Sequence, residues 1–460
     1  MSYLVCKFGG TSVATASALT QIKKILDLDT RRKILVLSAP GLSSGIVTKV
    51  TDHLITIAEK TLKNKDVRRD VGAVKKRFIT NYTELGLSEE VILEVLSELD
   101  VRITQNKEHP EKLRDSIVAC GEEFNANLFS QYLNLCDTPA EFVCPQSIGL
   151  RVSSVYGDAQ PTEEGMKNLE EIAAIADSGK VVVFPGFYGI AEDGSVATFS
   201  RGGSDLTGAL IAEAIGAIEY ENWTDVNGIL SANPKVVSDP EQIPALTYKE
   251  MRELSYMGFN VFHEEAVKPV TEKKIPIRLR NTNNLSNPGT LIVSDRLPDE
   301  RDVIGIAAAS GFCLFNIQKY LMNREKGFGR RTLQIFEELG LSYEHSPSGV
   351  DDLSVVLDQN QLQPGTVNSI IRKIEDELSP DSIRTEFGLS LIVVVGEGLL
   401  HKIGVLAAAA QAFADAGINI NIVNQGSSEI SIIFGIDSAD EDKAVRVLYD
   451  SFFNDDTDDE

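Results

Sequence analysis

Leu4-Val5-Cys6-Lys7-Phe8-Gly9-Gly10-Thr11-Ser12 is a short apolar run, interrupted by one lysine, that ends in two glycines and two hydroxyl residues. A run of that length bounded by glycine reads as a buried strand. Ala18, Ile22, Ile25 and Leu26 then recur at helical spacing before a second apolar run, Ile34 to Leu37. Farther along, Val181-Val182-Val183-Phe184 reads as a strand, Leu206 to Ala217 as a helix and Ile218 to Trp223 as another strand. Strand and helix in alternation predict an α/β domain on a mainly parallel sheet, covered on both faces.

Working outward, residues 52–114 are polar, charged and helical in pattern, and read as a helical insertion. A break is expected at His109-Pro110, because the residue before a proline disfavours helix. Turn-forming residues cluster from Asn281 to Pro298 and place a domain boundary near residue 300. Beyond it the chain repeats itself. A shift of 77 residues aligns Gly311 with Gly388, Gly327 with Gly404, Gly340 with Gly417 and Phe336 with Phe413. The same shift aligns Leu353-Ser354-Val355-Val356 with Ile430-Ser431-Ile432-Ile433. Each copy reads strand, helix, strand, strand, helix, which predicts two small α+β modules of like fold.

The length of 460 residues suggests about three domains, and 43% hydrophobic residues supply ample material for their cores. No stretch approaches the roughly 20 apolar residues that span a bilayer. The N-terminus lacks a basic region followed by an apolar one, so no signal peptide is expected. With 44 Lys and Arg against 68 Asp and Glu, the net charge of −24 argues against non-specific nucleic-acid binding. The basic stretch Lys60 to Arg77 reads as a solvated helix face, and the acidic end Asp455 to Glu460 as a solvated tail. Five cysteines without a CxxC pair are neither a disulfide framework nor a zinc site; reduced thiols in a cytoplasmic protein are expected. No metal site is expected from side chains alone.

No GxxxxGK[ST], GxGxxG or HExxH occurs. What remains is a set of glycine-bearing turns. Lys7 to Ser12 could bring backbone N–H groups and a cation to an anion, or be a plain strand-to-helix turn with a surface lysine. Ser38-Ala39-Pro40-Gly41 follows the second strand, with Thr48 soon after. In Arg201-Gly202-Gly203-Ser204-Asp205, the arginine can hold a carboxylate and the aspartate can take an ammonium, while Ser204 and Asp205 can also cap a helix. Thr224-Asp225-Val226-Asn227-Gly228 follows the last strand. Four such turns at strand ends converge on one edge of a parallel sheet, where α/β folds bind ligands, and favour a phosphate-handling site.

Lys7-Phe8-Gly9-Gly10-Thr11-Ser12-Val13, Arg201-Gly202-Gly203-Ser204-Asp205 and Trp223-Thr224-Asp225-Val226 resemble the aspartate kinases of the amino-acid kinase superfamily, and the C-terminal repeat resembles their tandem ACT domains. The resemblance covers essentially the whole chain. It implies a parallel-sheet kinase domain over 1–300 with the insertion near 52–114. Two ferredoxin-like ACT modules, 301–385 and 386–453, and an acidic tail, 454–460, would follow. Because the chain stops after the second module, it looks like a member without a fused homoserine dehydrogenase.

The resemblance also implies phosphorylation of the L-aspartate β-carboxylate with ATP and Mg2+, opening the branch to lysine, threonine and methionine. Lys7 matches the lysine that contacts the transferring phosphoryl group, and Gly9 and Gly10 match the phosphate-supporting turn. Asp205 and Ser204 match residues beside Arg201, which binds a substrate carboxylate, and Thr48 matches a substrate-side threonine. Glu122, in Cys120-Gly121-Glu122-Glu123, matches the contact to the aspartate amino group; by itself it reads as an acidic residue in the first turn of a helix. Thr224 and Asp225 match nucleotide contacts. The chain departs from the family at four nucleotide-side positions: Asn260 stands where a second lysine is common, Glu264 where a proline is common, Leu230 where some members have tyrosine, and Lys235 where they have arginine.

In the first ACT module, Met322, Gly327, Phe328, Ser342, Tyr343, Glu344 and Ser348 fall at effector positions, with Glu344 expected to meet an effector ammonium. Met322 and Phe328 read equally well as core. L-lysine is the expected effector and L-threonine the runner-up, with a homodimer or homotetramer assembled through the ACT modules. Other readings are a superfamily member acting on glutamate, acetylglutamate or a nucleotide, and a non-catalytic amino-acid sensor with a degenerate kinase domain.

Overall fold

A computed structural model describes residues 3–454 except 106, 201, 259–263, 297–301, 401 and 427–429, with only the backbone described at 264 and 265. The expected Arg201 and Asn260 positions and the acidic tail lie outside the described residues.

The first compact unit comprises residues 3–229, 242–248 and 264–296. Its sheet contains β1 (Leu4–Phe8), β2 (Arg32–Leu37), β3 (Ala140–Phe142), β4 (Val181–Pro185), β7 (Glu219–Thr224), β8 (Ala245–Thr247), β9 (Ile277–Asn281) and β10 (Thr290–Val293). A separate hairpin is formed by β5 (Tyr188–Ile190) and β6 (Val196–Thr198). The sheet order is β3-β4-β2-β1-β7-β9-β10-β8, parallel throughout except for β9 against β10. β1 and β4 are buried at every residue, as strands covered on both faces must be.

Helix α1 (Ala16–Asp27) returns the chain from β1 to β2, its N-terminus capped by the Thr15 side chain. The insertion is helical as expected: α2 (Val50–Leu62), α3 (Arg68–Glu84) and α4 (Glu89–Thr104) lead into α5 (Pro110–Leu135). The break falls at His109, and Pro110 occupies the first turn of α5, where its missing N–H costs nothing. α5 is buried around most of its circumference, with polar Asp115, Glu122 and Asn125 among its buried residues. Gly121 lets it approach the turn after β2, because a Cβ there would lie 2.7 Å from the Ala39 Cβ.

The second unit contains one antiparallel sheet of β11 (Gly305–Gln318), β12 (Asp352–Asp358), β13 (Ser382–Val395), β14 (Ile422–Gln425) and β15 (Ser431–Asp437), ordered β12-β11-β13-β15-β14. The two modules share this sheet through the long β11–β13 pairing. Each keeps its own core. Phe315, Phe336 and Ile370 anchor the first, and Phe413, Phe434 and Leu448 the second. The repeat has a backbone cause: Gly327 and Gly404 both start a helix, and Gly340 and Gly417 both end one, all at positive φ. The first module differs from the expected pattern in one element. Between its helix and β12 there is no strand, only the isolated bridges His345–Val356 and Ser348–Leu353.

Residues 230–241 and 249–258 also belong to this unit. Ala232 and Val237 are buried in the core of the second module, the Ile306 N–H donates to the Ser231 carbonyl at 2.7 Å, and Arg446 Nε donates to the Val236 carbonyl at 3.0 Å. No helix among the described residues is long and apolar enough to cross a membrane.

Candidate active site

Because β1, β2, β4, β7 and β9 are parallel, their C-terminal ends share one edge of the sheet. The Gly9 N–H donates to the Trp223 carbonyl at 3.1 Å, binding the first turn to the end of β7. Ser12 Oγ lies 3.1 Å from Thr282 Oγ1, which donates to the Thr224 carbonyl at 2.8 Å. On the other side the Gly41 N–H donates to the Gly10 carbonyl at 2.8 Å, and a Cβ on Gly41 would lie 2.6 Å from the Gly10 carbonyl carbon. The first, second and fourth turns are thereby locked together. The N–H groups of Gly10 and Thr11 have no acceptor among the described residues, so two donors are available to an anion there.

The third turn arrives by a different route from the one the sequence suggests. It follows the β5–β6 hairpin rather than a strand of the main sheet. It opens the helix Gly203–Ile215, whose cap is Gly202 in the left-handed conformation with no side-chain capping bond. Ser204 and Asp205 are therefore not caps. Asp205 instead pairs with Lys7, Oδ1 to Nζ at 2.6 Å, and accepts a bond from Asn222 Nδ2 at 2.7 Å. Lys7 is only 8% exposed, and Ser204 is buried against Gly186, where a Cβ would lie 2.6 Å from Ser204 Oγ. An oriented ammonium beside unpaired backbone donors is an arrangement that can neutralise phosphoryl oxygens.

Glu122 lies on α5 and is 5% exposed. It is interior to the helix rather than in its first turn. Burial pushes its carboxyl up to about 8, against a smaller opposing pull from the Ala39 N–H. Its Oε2 is buried with no hydrogen-bond partner among the described residues. A buried carboxylate oxygen without a donor is costly, and a ligand ammonium would supply one.

On the other side of the edge, Thr224 Oγ1 donates to Asp225 Oδ1 at 3.2 Å, and Asp225 is exposed. Thr48 is exposed and lines a cavity of about 370 Å3 together with Arg77. Leu230 and Lys235 belong to the second compact unit.

Sequence reasoning missed the support beneath β7. Glu221 is buried and takes Arg32 bidentately at 2.8 and 2.9 Å, with Trp223 Nε1 donating at 2.9 Å. Arg32 and Arg280 also lie over the Trp223 ring at 5.2 and 4.8 Å. Burial alone would push the Glu221 carboxyl up, but Arg32, Trp223 and Arg280 together hold it below its ordinary value. The available signal was two polar residues, Glu221 and Asn222, inside a strand that should be buried on both faces.

Residues 2–281 match the amino acid kinase family and 392–452 an ACT domain. Aspartokinase 3 of Bacillus subtilis is 44% identical over 449 residues, covering 98% of both chains. The chain belongs to the aspartokinases. The chloroplastic aspartokinase 1 of Arabidopsis thaliana is 28% identical over 98% of this chain and 80% of that protein. Among solved structures, the aspartate kinase of Clostridium acetobutylicum, described as an allosteric enzyme, has a TM-score of 0.86 at 36% identity, covering 98% of this chain and all of that one. Escherichia coli aspartokinase III, solved with lysine and aspartate, shares the fold at TM-score 0.74 and 24% identity, covering 98% of this chain and 99% of that one.

In this aspartokinase the expected effector positions divide into two kinds. Met322 and Phe328 are buried in the first module's core, and Gly327 is the left-handed cap of the helix Phe328–Glu338. Ser342 is held at backbone level by Gln361 and Tyr343 is 48% exposed. Glu344 has no cation partner among the described residues. Burial, with a smaller push from Asp358, raises its carboxyl above the ordinary value. Ser348 lines a polar cavity of about 680 Å3 on the sheet face opposite the helices, which none of the other six lines.

Proposed function

We propose that this aspartokinase transfers the γ-phosphoryl group of MgATP to the β-carboxylate of L-aspartate, yielding 4-phospho-L-aspartate and ADP. The carrying observation is the Lys7–Asp205–Asn222 group, its lysine and asparagine buried, at the same sheet edge as the Gly10 and Thr11 donors. The substrate carboxylate is already ionised at neutral pH, so no general base is needed. Its oxygen forms the new bond to phosphorus as the bond to the ADP oxygen breaks, and that electron pair leaves with ADP. Lys7, held in place by Asp205, neutralises the equatorial oxygens of a loose transition state, while the Gly9–Gly10 turn, its Gly9 N–H taken by the Trp223 carbonyl, presents the Gly10 and Thr11 N–H groups to the phosphates. Glu122 takes the aspartate ammonium through its unpaired Oε2. Arg201, Ser204 and Thr48 serve the substrate side.

Thr224 and Asp225 hold the nucleotide, with Asn260 as a further contact. Among the described residues no three His, Cys, Asp or Glu side chains are grouped to hold a metal. Exposed Asp225 is the carboxylate that would help hold Mg2+ brought in with the nucleotide. When bound, the ion neutralises phosphate charge.

The reaction would open the branch to lysine, threonine and methionine, with feedback by L-lysine through the first ACT module. The unpaired Glu344 and the allosteric Clostridium relative support that reading. Assembly as a homodimer or homotetramer through the ACT modules is part of the same proposal. Five unbridged cysteines suit a cytoplasmic enzyme. The test is ADP release with MgATP and L-aspartate, with and without L-lysine or L-threonine. Aspartate-dependent release inhibited by lysine is expected. Release insensitive to both amino acids would refute the effector, and none with aspartate would refute the kinase.

A further inference from the structure

α3 lies in the helical insertion, remote in sequence from every residue given a chemical role above, yet its Arg77 reaches both glycine turns. Arg77 Nε donates to the Ala14 carbonyl at 3.1 Å and Nη2 to the Gly41 carbonyl at 2.7 Å. Asn81, one turn along the helix, donates to the same Ala14 carbonyl at 3.1 Å. Ala14 closes the short 3-10 turn Thr11–Val13 that follows Gly9 and Gly10. Gly41 is gripped from both sides, since its own N–H already donates to the Gly10 carbonyl. Ala39, in the same turn, packs against Gly121, the residue before Glu122, where a Cβ would lie 2.7 Å from the Ala39 Cβ.

In a chain with 68 acidic residues against 44 basic ones, no carboxylate pairs with Arg77 among the described residues. Its guanidinium is half-buried, and burial pushes its pKa down. A cation held partly out of water by neutral carbonyls is an unfavourable choice for packing alone. It is a good choice where one rigid fork must hold two acceptors at once.

We propose that Arg77 is a positioning residue for phosphoryl transfer, clamping the Gly9–Ala14 turn to the 38–41 turn so that the Gly10 and Thr11 donors and Glu122 keep a fixed relative geometry. The proposal rests on the kinase reading above. A small displacement of either turn moves the phosphate donors against the substrate carboxylate, and about 1 Å of misplacement can cost on the order of a hundredfold in rate.

The test compares kcat and both KM values of Arg77→Met, Arg77→Lys and Lys76→Met with the unaltered protein, alongside each Tm. Lys76 is exposed on the same helix and bonds to neither turn. Arg77→Met is expected to lose about tenfold to a hundredfold in kcat/KM for aspartate, with KM for ATP within about twofold, because Thr224 and Asp225 hang on β7. Arg77→Lys, with one ammonium in place of the fork, should lose less than or as much as Arg77→Met, and Lys76→Met nothing. Wild-type kinetics in Arg77→Lys or in folded Arg77→Met, or an equal loss in Lys76→Met, would overturn the clamp. If Arg77→Met does not fold, Arg77→Lys decides: a loss at wild-type Tm supports the clamp. Aspartate-dependent ADP release by the unaltered protein separates failure of the clamp from failure of the kinase reading.

Discussion

Glu122→Gln should weaken aspartate binding and stabilise the free protein at the same time. The Glu122 carboxyl, buried with Oε2 unpaired, is pushed up to about 8. At pH 7 roughly nine in ten free molecules then carry its proton, whereas an ammonium ligand needs the ionised form. The kcat/KM for aspartate, which reports ionisations of the free enzyme, is therefore expected to rise by about tenfold per pH unit from pH 6 and level off above 8. KM for ATP should not follow it. In Glu122→Gln the slope disappears and the aspartate KM rises by about tenfold or more, the worth of a hydrogen bond to a charged group.

The stability effect has the opposite sign. Folding favours the protonated carboxyl, so this contribution is fully present below the ordinary value of 4.5 and is lost as pH climbs through about 8. At roughly 1.4 kcal/mol per pKa unit the loss amounts to several kcal/mol. Glu122→Gln should thus have a higher Tm than the unaltered protein at pH 8 and a similar one at pH 4.5. Initial-rate kinetics between pH 6 and 9 and scanning fluorimetry read both quantities. A flat kcat/KM for aspartate in an active enzyme, or an unchanged KM in Glu122→Gln, would refute the reasoning.

Lys7→Ala should lower kcat by about a hundredfold or more, measured as ADP release, because it removes the ammonium from the phosphoryl site. Gly41→Ala places a methyl 2.6 Å from the Gly10 carbonyl carbon; the forced backbone shift should cost about 1–3 kcal/mol by denaturant titration and reduce kcat as well. Glu221→Gln leaves Arg32 and Arg280 without their buried counter-charge, and should destabilise the protein by about 3–5 kcal/mol in the same assay. Glu344→Gln should leave turnover intact and abolish inhibition by L-lysine, read from the inhibition curve.

What was legible in the sequence is what local physics controls. The run Leu4 to Phe8 followed by two glycines could only be a strand leaving a buried sheet, and β1 has those bounds. The break at His109-Pro110 follows from the proline ring alone. The glycine register of the two modules is visible because helix boundaries at positive φ tolerate little else. What was hidden depends on partners distant in the chain. Asp205 looks like a helix cap until Lys7, from the first strand, is beside it. Arg77 looks like one charge on a basic helix face, and only the folded insertion carries it to Ala14 and Gly41. The source of the third turn was missed because β5 and β6 are three-residue strands, too short to register as a periodic pattern. By position, segment 230–241 reads as part of the catalytic domain, whereas Ala232 and Val237 are buried in the second module's core.

Trapping the product with hydroxylamine tests the central claim most directly, since an acyl phosphate reacts to give a hydroxamate and other phosphorylated products do not. With MgATP and L-aspartate the unaltered protein should form β-aspartyl hydroxamate in step with ADP, L-glutamate should give little, and Lys7→Ala should form it about a hundredfold or more slowly. ADP without hydroxamate, or equal hydroxamate from glutamate, would contradict phosphorylation of the aspartate carboxylate at the Lys7 site.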